Sequence, residues 1–279
     1  MTKQEEIYVP MLLNYFSHYK DWLIEVGKPN FYVDDLYGLF LANTGEKYPI
    51  ITPKIFYIGK ETKGWYPIFQ EMMELCSNNT AEEYIRKQNE WLLQDKFYKE
   101  IKNPFWKWVA KLHIYLHTNE LPTDLKKLND KQKELLHSIG WGNINSMITP
   151  QGLGQYGKID DNVNIWEDID KEVYQYIKKS SQMFDKIKLI LDIYNPDVIF
   201  IFNENESEEE YYKNYLEGLK ITGCPETNMY DDFLISYSIE GYTTKIIWTS
   251  HPRYLEIIGV NIEDIKKAYD IIMKMESKL

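Results

Sequence analysis

Polar clusters follow four short apolar runs of this chain, and these clusters hold the residue types best suited to chemistry. The first follows the run Ile55–Gly59 and contains a carboxylate, Glu61, between the glycines of a polar turn. The other three are Asn143 to Ser146, Asn203 to Glu206, and Ser250 to Leu255. Ligands of open α/β sheets bind just outside the carboxyl ends of parallel strands. If the runs are parallel strands of one sheet, the sequence predicts a ligand site built from their ends.

Each cluster taken alone also fits an ordinary structural role. Glu61 suits a solvated turn between Gly59 and Gly64, because glycine permits backbone angles that other residues avoid. Asn143 and Asn145 suit strand-end turns in which an asparagine side chain binds its own backbone. His251 precedes a proline and suits the cap of a loop. Both interpretations stay open at the level of the residues.

The apolar runs predict the strands that would position these clusters. Four strands are expected, in a central and mainly parallel sheet, at Ile55–Gly59, Ile139 to Ser146, Asp197 to Phe202, and Lys245–Thr249. A hairpin is expected around Gly241, between Phe233–Glu240 and Tyr242–Thr244.

Helical periodicity separates the predicted strands. It covers Tyr8–Val26, most of Tyr66 to Leu136, Ile169–Ile193, and Ile262–Glu276. Strands that alternate with helices favour an α/β fold, here a three-layer α/β/α sandwich. We expect a single domain over residues 1–279, with an N-terminal helical extension of about residues 1–50.

The composition argues against several classes of function. The chain has 279 residues, with 32 Lys and Arg against 43 Asp and Glu, and the formal net charge of −11 argues against tight non-specific DNA binding. Cys76 and Cys224 lie far apart and form no metal or redox pattern, so we expect no metal, no cofactor and a reducing cytoplasm. No apolar run is long enough to span a bilayer and the N-terminus shows no apolar signal segment, so no membrane partner is expected.

The order of the motifs resembles that of the uracil-DNA glycosylase superfamily. The likeness lies in Gly59-Lys60-Glu61 after the first strand, Asn143 after the second, and His251-Pro252-Arg253-Tyr254-Leu255 after the last. The segment Pro196 to Phe202 is also similar to the third strand of that superfamily. The resemblance covers the chain from about Ile50 onward, and it is nearest to a bacterial branch with a Gly-x-Glu-Thr-x-Gly-Trp motif.

This resemblance implies a metal-independent DNA glycosylase that cleaves the N-glycosidic bond of uracil or another altered base. Glu61 and His251 would be catalytic, the carboxylate beside the sugar and the imidazole as a donor to the departing base. The residues implied to bind the flipped base are Gly59, Trp65, Tyr66, Asn143 and Asn145. The residues implied to contact DNA are Lys63, Arg253 and Leu255, with Ile257 as an alternative wedge.

Two positions of the first motif depart from the superfamily. Thr62 stands where well-studied branches have proline, and Lys63 stands where they have an aromatic residue or glycine. The resemblance therefore does not identify the base. A second hypothesis is a catalytically inactive or repurposed member that binds a nucleobase, a nucleotide or a protein partner. A Rossmann-type cofactor enzyme is a weaker third, because the loop Thr149–Gly157 lacks the G-x-G-x-x-G fingerprint.

Overall fold

The computed structural model of the chain describes residues 1–31, 36–59, 68–92, 104–144, 146–147, 170–203, 215–222 and 234–275. The chain divides into two compact units. The first combines residues 1–41, 61–92 and 143–189, and the second combines 42–60, 93–142 and 190–279. The single-domain organisation expected from the sequence remains a prediction.

The described residues form an alternating set of helices and strands. The helices are α1 (Lys3–Glu25), α2 (Phe69–Ser77), α3 (Ala81–Leu92), α4 (Pro104–Thr118), α5 (Asp130–Leu136), α6 (Lys171–Ser181), α7 (Ile187–Tyr194), α8 (Pro252–Ile257) and α9 (Ile262–Met275). The strands are β1 (Asn43–Thr44), β2 (Ile55–Gly59), β3 (Gly140–Asn143), β4 (Val198–Phe202), β5 (Ile221–Thr222), β6 (Leu234–Ile239) and β7 (Lys245–Thr249).

The first unit is helical, and α1 supplies much of its core. A capping box starts this helix: Glu5 N–H donates to the Thr2 hydroxyl, and the Thr2 N–H donates to the Glu5 carboxylate. This cap explains why the helix begins before the predicted Tyr8. Its buried side chains recur every three or four residues and include Tyr15, whose ring meets Phe184 edge-on at 5.7 Å.

A seven-stranded sheet organises the second unit, in the order β1-β3-β2-β4-β7-β6-β5. Its centre is parallel, because β4 pairs in parallel with both β2 and β7. On one side, β6 is antiparallel to β7 and β5 is antiparallel to β6. At the other edge, β1 is antiparallel to β3. The α/β class is confirmed, and the expected four strands are corrected to seven among the residues that the structure describes.

The extra strands were missed for two physical reasons. Strands β1 and β5 have only two residues each, too few to show any periodicity. Strand β6 was expected to pair with Tyr242–Thr244, whereas it pairs with β7 beyond them, in the register Leu234↔Thr249. Gly241 allows the intervening turn with a φ of +83°.

Helices cover both faces of this sheet. On one face, the rings of Tyr57, Phe200 and Phe202 stack across β2 and β4, with Tyr57 and Phe200 5.7 Å apart. Trp108 of α4 meets Phe202 edge-on at 5.3 Å, and Tyr269 of α9 covers Phe200. On the opposite face, Phe56 packs against Tyr194 of α7 at 5.4 Å. Continuous apolar strands such as β2 and β4 are typical of a sheet buried on both faces.

A buried polar chain joins α4 to the sheet. Ser138 donates its hydroxyl hydrogen to the Leu135 carbonyl, so it accepts from Nε2–H of His113 at 2.9 Å. The other ring nitrogen, Nδ1, then accepts from the Tyr57 hydroxyl at 3.0 Å. His113 is fully buried and neutral, and desolvation lowers its pKa well below the usual value. Burial also lowers the pKa of the neighbouring His117, to about 4.

These two histidines predict a loss of stability in mild acid. Their pKa values are near 6.5 in the unfolded chain and lower in the folded one, so the unfolded state binds more protons as the pH falls below 6.5. Each group lowers the free energy of unfolding by at most about 1.4 kcal/mol per pH unit. Denaturant unfolding between pH 7 and pH 4 measures this loss. His117→Gln should make the decline shallower, and identical pH dependence in the two proteins would contradict the assignment.

Candidate functional site

The carboxyl ends of the three central strands lie level with one another. Ile58 of β2 pairs with Ile201 of β4, and Phe202 at the end of β4 pairs with Thr249 at the end of β7. The ladder continues one residue further, since Asn203 N–H donates to the Thr249 carbonyl at 2.9 Å. The second unit therefore presents a common edge at which the predicted clusters after Gly59, Phe202 and Thr249 begin.

The indole of Trp248 anchors this edge. Its Nε1–H donates to the carbonyl of Asn203 at 2.9 Å. The backbone of Asn203 is thus bound to β7 through both its N–H and its carbonyl. The sequence placed Asn203 in a strand-end cluster, but it gave no sign that Trp248 would hold it.

His251 is the N-cap of α8. Its Nδ1 accepts a hydrogen bond from Arg253 N–H at 3.2 Å, and Pro252 occupies the first helical position, where a missing N–H costs nothing. Because Nδ1 is an acceptor, the neutral imidazole carries its proton on Nε2. The capping role considered from the sequence is therefore confirmed.

Phe105 fixes the plane of the His251 imidazole. The two rings stack with their centroids 5.5 Å apart and their planes 28° apart. Phe105 in turn meets Phe202, at the end of β4, edge-on at 5.9 Å. The imidazole is thus held by a backbone hydrogen bond at Nδ1 and by an aromatic ring against its face. Sequence reasoning missed Phe105, because only the fold brings the start of α4 to the end of β7.

The short helix α8 and the residue after it expose apolar side chains and one charge of each sign. Arg253 and Glu256 are exposed, and so are Tyr254, Ile257 and Ile258, with 72% of Ile257 accessible. Leu255 is fully buried, because it follows the buried Pro252 at the three-residue spacing that shares one helix face. The predicted DNA contact by Leu255 does not fit this burial. The alternative wedge, Ile257, has the exposure that such a contact requires.

The remaining predicted residues are described in part. Gly59 is the buried last residue of β2, and Asn143 is the half-buried last residue of β3, the strand beside β2 in the sheet order. Glu61, Lys63, Trp65, Tyr66 and Asn145 lie outside the described residues. Their assigned roles remain predictions.

Within the part of the chain that the structure describes, no group of three or more His, Cys, Asp or Glu residues could hold a metal ion. None of the described helices is long and apolar enough to cross a membrane. No family model matches the chain, and no match was found among curated proteins.

Proposed function

We propose that the protein is a DNA glycosylase-like hydrolase that cleaves the N-glycosidic bond of uracil or another altered base. The observation that carries this proposal is the geometry of His251. Its Nδ1 accepts a hydrogen bond in the cap of α8, its ring stacks on Phe105, and its proton is therefore placed on Nε2, just after the carboxyl end of β7.

Such a donor suits the chemistry of glycosidic cleavage. The sugar passes through an oxocarbenium-like transition state while negative charge grows on the departing base. A hydrogen-bond donor held in advance near the base oxygen stabilises that charge without reorganisation. His251 would be this donor, and Glu61 would stabilise the sugar cation and orient the attacking water.

The fold and the surface of α8 agree with this proposal. Helices on both faces of the sheet support the three-layer sandwich that the superfamily resemblance implies. The exposed Arg253 and Ile257 lie on the helix that His251 caps, where a phosphate contact and an apolar wedge would meet DNA beside the flipped base.

A panel assay tests the proposed activity. Oligonucleotides with one uracil, hypoxanthine or xanthine are incubated with the full chain as duplexes and as single strands, and abasic sites are detected by alkaline strand cleavage. We expect cleavage at one of these bases, and Glu61→Ala and His251→Ala should each slow it by about 100-fold or more. Strand cleavage that both variants retain would refute the assigned site.

The net charge of −11 favours one second candidate, a non-catalytic member that binds a nucleobase, a nucleotide or a protein partner. Such a protein would bind its ligand at the strand-end site and would not turn it over. Isothermal titration calorimetry with free bases, nucleotides and single-stranded DNA separates the two proposals. Binding of a free base by a protein that releases no base from DNA would favour this second candidate.

A further inference from the structure

A buried carboxyl group lies in the first unit. Asp185 is only 7% exposed and follows the single helical turn Gln182–Phe184. The sequence predicted one continuous helix from Ile169 to Ile193, but the chain leaves helical geometry at Asp185 and resumes it at α7. The break places the Asp185 side chain against the segment that follows β3.

Ser146 is the partner of Asp185 in that segment. Its hydroxyl donates to Oδ1 of Asp185. The Ser146 carbonyl accepts from Phe40 N–H at 2.6 Å. Ser146 is 1% exposed, and its neighbours Ile144 and Met147 are equally buried. Two hydrogen bonds and two buried apolar neighbours thus hold the chain just after Asn143.

Burial of this carboxyl group is unfavourable for the free energy of folding. A buried carboxylate loses its hydration, and one hydrogen bond from a serine hydroxyl replaces only part of it. Burial accordingly raises the pKa of Asp185 well above its ordinary value, although hydrogen bonding to Ser146 opposes the rise. An apolar pair of the same volume would fill the space at lower cost. The polar pair instead fixes the direction in which the segment around Ser146 runs.

We infer that Asp185 is a positioning residue for Asn143, acting through Ser146 to hold the strand end from which the Asn143 amide would read the base. This inference rests on the proposed function, in which Asn143 pairs with the edge of the flipped base. Asn143, Ser146 and Asp185 all belong to the first unit.

A double-mutant cycle in kcat/KM tests the inference. Asp185→Asn keeps the side-chain shape but exchanges an acceptor oxygen for a donor, and Ser146→Ala removes only the hydroxyl. In the wild-type background we expect Asp185→Asn to lower kcat/KM about tenfold, and Ser146→Ala to lower it less. In the Asn143→Ala background the same changes should have less than about twofold effect, because contacting groups that act together are not additive.

Asp197→Asn is the matched control. Asp197 likewise accepts a hydrogen bond from a residue distant in the sequence, the backbone N–H of Lys54 at 2.6 Å, but it lies in the second unit before β4. This variant should be additive with Asn143→Ala. If Asp185→Asn is also additive with Asn143→Ala, Asp185 has only a structural role and the inference is refuted.

Hydrogen exchange gives a readout that needs no activity. Asp185→Asn and Ser146→Ala should speed amide exchange in peptides that cover Asn143–Met147, and Asp197→Asn should not. Unchanged exchange in those peptides refutes the positioning role whether or not the protein is active. A wild-type chain that releases no base refutes the proposed function, and the exchange data then decide the positioning role separately.

Discussion

His251→Asn is expected to lower the single-turnover rate of base release about 10²–10³-fold, the usual effect of removing one preorganised donor from a developing anion. Asparagine is itself a favourable N-cap, so its oxygen can accept the Arg253 N–H that Nδ1 of His251 now accepts. The short asparagine side chain cannot place a donor where the imidazole Nε2–H lies. The rate should therefore fall while the thermal midpoint stays close to that of the wild type.

His251→Ala provides the comparison, because it removes the donor and the cap together. It should slow base release as much as His251→Asn does and, in addition, lower the free energy of unfolding by about 1 kcal/mol. A His251→Asn enzyme that retains the wild-type rate would show that the histidine serves only to cap α8.

Gly140→Ala is expected to destabilise the protein more than the other glycine-to-alanine change in β3. A Cβ at this position would lie 2.4 Å from Cδ2 of Phe56 and 2.9 Å from Cε2 of Tyr48, and both of these rings are buried. Neither ring can move without disturbing the face of the sheet that Tyr194 covers. Overpacking of this kind costs about 1–3 kcal/mol, which urea unfolding measures directly.

Gly142→Ala is the matched control, two residues along the same strand. There the added Cβ would lie 3.3 Å from the Phe56 ring and 3.4 Å from Cβ of Ala42, so small shifts accommodate it. We expect a change below about 1 kcal/mol. Equal stability of the two variants would contradict the observed packing of β3 against Phe56.

The central strands of the fold could be predicted from the sequence because each is a continuous apolar run with a clear end. Strand β2 and strand β7 begin and end at the predicted residues, and β4 begins one residue later than predicted. The break between α6 and α7 could not be predicted. Apolar residues keep helical spacing through Asp185, and the tertiary bond that Asp185 makes with Ser146 at the interruption cannot be read from the sequence.

The candidate site was likewise predictable only in part. His251 was identified from its position after a strand. The placement of its proton on Nε2 depends on the bond from Arg253 N–H to Nδ1, which only the folded structure shows. Phe105 could not be identified from the sequence, because its contact with His251 depends on how α4 crosses the sheet. The exposure of Ile257 and the burial of Leu255 likewise follow from their two-residue separation, which puts them on different faces of α8.

The central claim is that this chain hydrolyses an N-glycosidic bond at the strand-end site, and the masses of the reaction products test it most directly. Each oligonucleotide of the panel is incubated with wild-type protein and with His251→Asn, and both products are measured by mass spectrometry. We predict that wild type yields the free base together with an intact strand in which a hydroxyl replaces that base, and that the variant yields neither in the same time. Unchanged masses for every oligonucleotide with the wild-type protein would contradict the claim.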